Sequence, residues 1–180
     1  MDGRDDLSRT VMVAAVVVVA VDQVSKAVAL RLLGDVDRSF GPFRFTIVRN
    51  PGGPFGVADG ASLIWTGVTA AILIAAVAFV GHGRLDVRPA VAVGAVIGGG
   101  VGNLLDRLVR QPGAGRGAVI DWISLDPYPR VFNLADLALR AGTATVFVMM
   151  LVDRPGPASV HREADHRATV DREVEISDGG

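Results

Sequence analysis

Two long stretches of this chain contain no Asp, Glu, Lys or Arg: the residues between Asp59 and Arg84, and those between Arg88 and Asp106. A third, VMVAAVVVVAV from Val11 to Val21, is apolar at every position. Crossing a bilayer core takes about 20 mostly apolar helical residues, and the first two stretches reach or approach that length. Half of the 180 residues are hydrophobic although 21% are charged, so the charges are segregated. Valine-rich runs also occur in buried strands, but strands usually stop at about 4–8 residues. Length therefore selects helices.

Four spans are expected, at about 10–33, 61–81, 89–109 and 132–152. The expected fold class is an all-α integral membrane protein with four transmembrane helices in one domain over residues 1–153. The first span has a rival reading as a secretory signal. Arg4 and Arg9 precede the apolar run, and Ala27-Val28-Ala29 resembles a cleavage site. Asp22 and Lys26 just upstream of that site fit a retained span better.

The loop between the first two spans contains PFRFTIV, with Phe43, Phe45 and Ile47 alternating against Arg44, Thr46 and Val48. That period of two predicts a half-buried strand. NPGGPFG follows as turn chemistry. Together they predict a small extramembrane β cradle over about 40–58. From Asp153 the chain carries seven acidic and four basic residues and no aromatic, the composition of a disordered tail over 154–180. With four spans both termini lie on one side, and the distribution of arginines favours the cytoplasm by a small margin.

The net charge of −1 offers no basic field for nucleic acid. Cysteines are absent, which removes disulfide, thiolate and Cys-type zinc chemistry. His82, His161 and His166 form no metal-ligand pair on an apolar helix. No metal or other cofactor is expected.

Ionisable groups inside spans are costly, by about 2.5–3.5 kcal/mol at the centre on insertion scales. Four clusters nevertheless stand at span ends beside the two long loops. In DQVSK, Asp22 and Lys26 are spaced i, i+4 and can pair on one helix face. In VRNPGGPFG, Asn50 precedes a turn forced by Pro51, Gly52 and Gly53, where an Asn commonly bonds its own backbone. In GGGVGNLLDRL, glycines permit close helix approach, and Asn103, Asp106 and Arg107 share a face. An Asp–Arg pair at a helix end is commonly a structural anchor, and Asn103 beside it argues for more than that.

The fourth cluster holds two carboxylates: Asp121 in AVIDWISL and Asp136 in VFNLADLA, with Asn133 three residues before Asp136. A helix cap explains one of Asn133 and Asp136, not both, and leaves Asp121 in its apolar setting unexplained. Two carboxylates close together in a low-dielectric site share a proton and titrate as a unit. One then acts as base on a water while the other, protonated, bonds the substrate carbonyl, as in aspartic proteases.

DQVSK, NPGGPFG, GGGVGNLLDRL, VIDWI and FNLADLALRAG, in this order over Asp22 to Gly142, resemble the sequence boxes of the lipoprotein signal peptidases, signal peptidase II. The resemblance implies a four-helix enzyme of the bacterial inner membrane. It would cleave diacylglyceryl-modified prolipoproteins just before the lipid-bearing Cys. It implies Asp121 and Asp136 as the catalytic pair, with Asn50, Gly52, Asn103, Arg107 and Asn133 lining the site and Asp22, Lys26 and Asp106 supporting it. It further implies cytoplasmic termini, an active site near the outer membrane surface and inhibition by the cyclic peptide globomycin; contact with membrane phospholipid and a monomeric state are expected beside it. The chain departs from the pattern at Gly53 and Pro54, where alanines are usual, and at Trp122, where Phe is commoner. Arg140, one turn beyond Asp136, is expected to depress the pair's pKa or to pair with Asp22 or Asp106. A small ion or proton transporter remains the alternative, as does a non-catalytic assembly protein packed through its glycines. The first predicts polar residues along the depth of the spans, and the second leaves Asp121 unexplained.

Overall fold

A computed structural model of the chain describes residues 3–52, 62–81 and 89–152. The elements are α1 (Gly3–Leu33), β1 (Arg38–Phe40), β2 (Phe43–Asn50), α2 (Ser62–Gly81), α3 (Ala90–Val109), β3 (Val119–Leu125), β4 (Val131–Phe132) and α4 (Leu134–Val152). Gly53, Pro54 and Phe55 of the turn box, the end of the expected cradle, the connection holding Arg84 and Arg88, and the acidic tail lie outside the described residues. Met1–Val146 forms one compact unit and a second begins at Phe147. Every contact described below lies within the first.

Among the described residues, three helices are long and apolar enough to cross a membrane: Asp5–Leu33 within α1, Ala90–Val109 and Leu134–Val152. The apolar stretch of α2, Ser62–Ala78, is shorter. Much of this apolar surface faces outward; Val16, Val24, Leu32, Ile64 and Ile74 are all more than half exposed. On a water-soluble protein so large an exposed apolar area would drive association. In a bilayer it is ordinary.

The central helix is α3, and its glycines set how closely its neighbours approach. A Cβ at Gly94 would lie 2.6 Å from both Ala14 Cβ and the Val11 carbonyl of α1. One at Gly98 would lie 2.6 Å from the Ala15 carbonyl, and one at Gly99 2.5 Å from the Ala135 carbonyl of α4. Any larger residue at these positions would push helices apart. Around the contact, Leu7, Val11, Ala90 and Ile97 form a buried apolar cluster, with Leu73, Ala76 and Val80 of α2 packed against it.

The strands make one antiparallel sheet in the order β1-β2-β3-β4. Here the cradle expected between the first two helices needs correction. Only β1 and β2 come from that loop; β3 and β4 come from the loop between α3 and α4. β3 pairs with β2 from Phe43↔Leu125 to Asn50↔Val119, with a register shift between Phe45 and Val48. VIDWISL does not alternate because Val119, Ile120, Asp121 and Ile123 are all buried. A strand covered on both faces reads as a continuous apolar run. The first helix begins at Gly3 rather than near residue 10. At the expected start of the fourth span, Val131 and Phe132 are strand, and the helix begins two residues later.

Candidate active site

The two candidate carboxylates arrive on different kinds of element. Asp121 lies at the centre of β3 and is 3% exposed. Asp136 is in the first turn of α4 and half-buried. Two asparagines join them. Asn133 Nδ2 donates to Asp121 Oδ1 at 2.6 Å and to Asn103 Oδ1 at 3.2 Å, and Asn103 Nδ2 donates to Asp136 Oδ1 at 2.8 Å. Asn133 Oδ1 accepts the Asp136 backbone N–H at 2.8 Å. The one side chain is therefore both helix cap and carboxylate partner, because an amide has two acceptor lone pairs and two donors on opposite atoms.

On the other side of Asp121, Asn50 Nδ2 donates to Oδ2 at 3.1 Å. Asn50 is itself fixed, since its Oδ1 accepts the Gly52 N–H at 3.0 Å in the local turn bond expected of an Asn. Val48↔Asp121 and Asn50↔Val119 are sheet partners. Burial pushes the Asp121 carboxyl up to about 7, and the neighbouring charge of Asp136 adds to the rise. Hydrogen bonds from Asn50 and Asn133 and the positive charge of Lys26 pull the other way. Titration of Asp121 is thereby brought into the neutral range.

Beneath the pair lies a charged layer with almost no solvent exposure. The Lys26 ammonium stands 2.8 Å from Asp22 Oδ2 and 2.8 Å from Asp106 Oδ2, and donates to Asn103 Oδ1 at 3.1 Å. All three ammonium protons thus have acceptors. Both carboxylates also accept backbone N–H groups. Asp22 Oδ1 accepts the Ala135 N–H at 3.0 Å, securing the start of α4, and Asp106 Oδ2 accepts the Ile120 N–H at 3.1 Å, securing β3 beside Asp121. The expected i, i+4 pairing in DQVSK is present, and its second carboxylate comes from α3. Each buried charge is paired and hydrogen-bonded, the condition under which such charges persist.

Arg107 does not reach either candidate carboxylate by a hydrogen bond. Its Nη2 donates to the Gly52 carbonyl and its Nη1 to Ser62 Oγ at 2.8 Å. It ties the turn holding Asn50 to the start of α2. Ser62 Oγ in turn donates toward the Gly117 carbonyl at 3.1 Å, and Thr66 Oγ1 donates to the Gly115 carbonyl at 2.6 Å. Both bonds clamp the loop that enters β3.

Sequence reasoning missed four of these residues. Arg110 Nε stands 2.6 Å from Asp106 Oδ1 at i, i+4, the same spacing that identified Asp22 and Lys26. Gln23 Nε2 bonds Asp22, the Gly102 carbonyl and Asp106 at 3.0–3.3 Å, and nothing in its neighbourhood marks it. Ser62 and Thr66 likewise carry no pattern. Arg140 lies beside two aromatic rings. Its guanidinium lies 5.8 Å from the centre of the Tyr128 ring and 5.9 Å from that of Phe132. Asp22 and Asp106 take Lys26 and Arg110 as ion-pair partners. Among the described residues no group of three or more His, Asp or Glu side chains is placed to hold a metal.

Long apolar helices with outward-facing aliphatic side chains, gathered around a buried polar centre under a small sheet, define a multi-pass membrane protein. Residues 14–152 match the family model described as signal peptidase (SPase) II. The chain is similar to the lipoprotein signal peptidase of Mycolicibacterium smegmatis, 36% identical over 148 residues, covering 79% of this chain and 61% of that protein. It is 33% identical over 120 residues to that of Streptomyces coelicolor, covering 67% and 58%, and 34% identical to that of Mycobacterium tuberculosis H37Rv, covering 79% and 71%. The chain thus spans about three-fifths of the length of the first two relatives. A solved structure of a bacterial membrane enzyme superimposes with a TM-score of 0.68 at 29% identity, over 80% of this chain and 88% of that one. The chain belongs to the signal peptidase II family.

Proposed function

We propose that this protein is an aspartyl endopeptidase that removes signal peptides from diacylglyceryl-modified prolipoproteins, cutting just before the lipid-bearing Cys. The observation that carries the reading is the bridge of Asn133 and Asn103 between Asp121 and Asp136, with Asp121 poised to titrate near 7. Asp121, the more buried carboxyl, holds the shared proton and donates it toward the scissile carbonyl oxygen. Asp136 accepts a proton from the attacking water. The C–O bond forms, the carbonyl oxygen takes the Asp121 proton, and a tetrahedral diol results. On collapse Asp136 passes its proton to the amide nitrogen, the C–N bond breaks, and one hydroxyl proton returns to Asp121. The pair ends as it began, with no covalent intermediate and no metal.

In this reading Asn50, Asn103 and Asn133 hold the carboxylates in place. Gly52 and Arg107 shape the turn beside them, and Asp22, Lys26 and Asp106 support the floor. α2 serves as the fourth span. The protein sits in the bacterial inner membrane with cytoplasmic termini and the site near the outer surface, works as a monomer in contact with phospholipid, and is inhibited by globomycin. A substrate whose lipid cannot leave the bilayer requires a site at the membrane edge, which fits carboxylates placed where the sheet meets the helix ends.

The test is cleavage of a purified diacylglyceryl-modified prolipoprotein by wild type, Asp121→Asn and Asp136→Asn in detergent. The reading expects both variants to fold, to bind substrate and to lose cleavage. Retained cleavage in either folded variant rejects the pair. Equal cleavage of unlipidated substrate rejects the specificity.

A further inference from the structure

One side of α1 carries an apolar groove of about 730 Å³, lined along the helix from Ala20 to Leu33 and covered at one end by Arg38, Phe45 and Trp122 of the sheet. None of the candidate site's carboxylates or asparagines lines it. Two polar features stand at the sheet end. Arg38 is exposed and has no ion pair among the described residues. Trp122 Nε1 is the one buried side-chain nitrogen or oxygen among the described residues that lacks a hydrogen-bond partner. Arg38 and Phe45 are cross-strand partners, so the cation stands over the aromatic end of the groove.

We infer that the groove is a binding site for an anionic phospholipid of the surrounding bilayer, with an acyl chain along α1 and the phosphate at Arg38. The length of the groove suits an acyl chain. Ala20 to Leu33 spans about 20 Å at about 1.5 Å per residue, somewhat more than one leaflet's share of a hydrocarbon core about 30 Å thick. The lining is aliphatic apart from Ser25 and the sheet-end residues, as suits methylene chains. Charge selects the headgroup. An unpaired arginine at the membrane edge complements a phosphate carrying net negative charge, and a buried indole N–H beside it has the lipid's ester carbonyls as acceptors. A neutral diacylglyceryl group would satisfy the groove but leave Arg38 unmatched.

The inference does not depend on peptide cleavage, and its test does not use activity. A Trp65→Phe variant leaves Trp122 as the only tryptophan. It is placed in nanodiscs of phosphatidylcholine containing a minor fraction of phosphatidylglycerol or phosphatidylcholine brominated on the acyl chains, and Trp122 fluorescence is read. The brominated phosphatidylglycerol should quench at about fivefold lower mole fraction than the brominated phosphatidylcholine, the preference given by about one arginine at an anionic lipid. Arg38→Gln should remove that preference while leaving thermal stability unchanged. Equal quenching by the two lipids in the presence of Arg38, or no quenching by either, overturns the inference. Native mass spectrometry of wild type and Arg38→Gln reads the same preference without the Trp65 substitution. Equal retention of phosphatidylglycerol by both proteins also overturns it.

Discussion

Asn133 stands 2.6 Å from Asp121 through its amide nitrogen, while its amide oxygen caps the helix that carries Asp136. A single fully buried side chain therefore links the strand that carries Asp121 to the helix that carries Asp136. Replacing Asn133 with Ala removes both links. The lost cap costs about 1 kcal/mol, and leaving a buried Asp121 oxygen without its donor costs about 1–3 kcal/mol more. Cleavage should fall by at least about 100-fold, the usual effect of deleting one preorganised donor. Thermal unfolding in detergent and steady-state cleavage check the two halves separately. An Asn133→Ala enzyme with near wild-type turnover would show that the bridge is only structural.

The pH dependence follows from Asp121. Its carboxyl is raised from 3.8 to about 7 by burial and then by Asp136. The fold thus binds a proton where an exposed carboxyl has lost it, so the stability contributed by that proton is fully present below 3.8 and is lost as pH rises through about 7. If Asp121 carries the catalytic proton, kcat/KM falls about tenfold per unit above that pH. The bond from Asn50 favours the ionised form of Asp121, so Asn50→Ala should move this alkaline limb to higher pH as well as lower the rate. A pH–rate profile of both proteins measures it. An unmoved limb, or one moved to lower pH, would contradict the assignment of the proton to Asp121.

The helices were legible because bilayer-length apolar runs without charges have few other solutions. The helix ends were legible because ionisable residues there are costly and stand out. The sheet was half legible. PFRFTIV alternates in polarity, as a strand with one covered face does. VIDWISL hides its strand because both faces are covered, so the loop between α3 and α4 was not seen to complete the cradle. Asp22, Lys26 and Asp106 were found by local spacing, but the sharing of one ammonium by carboxylates from α1 and α3 is a tertiary fact. Ser62 is the clearest residue that no local pattern could flag. A serine at a helix start is unremarkable until Arg107 and Gly117 are seen around it.

Lys26 is the one ammonium between two buried carboxylates, Asp22 and Asp106. Removing one partner of a buried ion pair costs about 3–5 kcal/mol, because the remaining charge stays buried and uncompensated. Lys26→Met should therefore destabilise strongly, and more than the double variant Asp22→Asn/Lys26→Met. In the double variant Asp106 keeps Arg110, and an Asn at position 22 still offers an oxygen to the Ala135 N–H. The two thermal midpoints, measured in one detergent, decide the matter. Additive losses would mean that Asp22 and Lys26 do not act as a pair.

Gly99 and Gly67 give opposite expectations from the same substitution. A Cβ at Gly99 would stand 2.5 Å from the Ala135 carbonyl and 2.8 Å from Leu139 Cγ. The first of these is backbone and has to shift. Because Ala135 immediately precedes Asp136, that shift moves a candidate carboxylate together with the helix. Gly99→Ala should cost about 1–3 kcal/mol as an overpacked contact and reduce cleavage disproportionately to the loss of folded protein. A Cβ at Gly67, inside α2, would meet nothing within 4 Å. Gly67→Ala should raise stability by about 0.5–1 kcal/mol through helix propensity alone and leave cleavage unchanged. Thermal midpoints and specific activities of the two variants, compared side by side, test the close approach of α3 to α4. Equal, small effects at both positions would place those helices farther apart than the 2.5 Å contact requires.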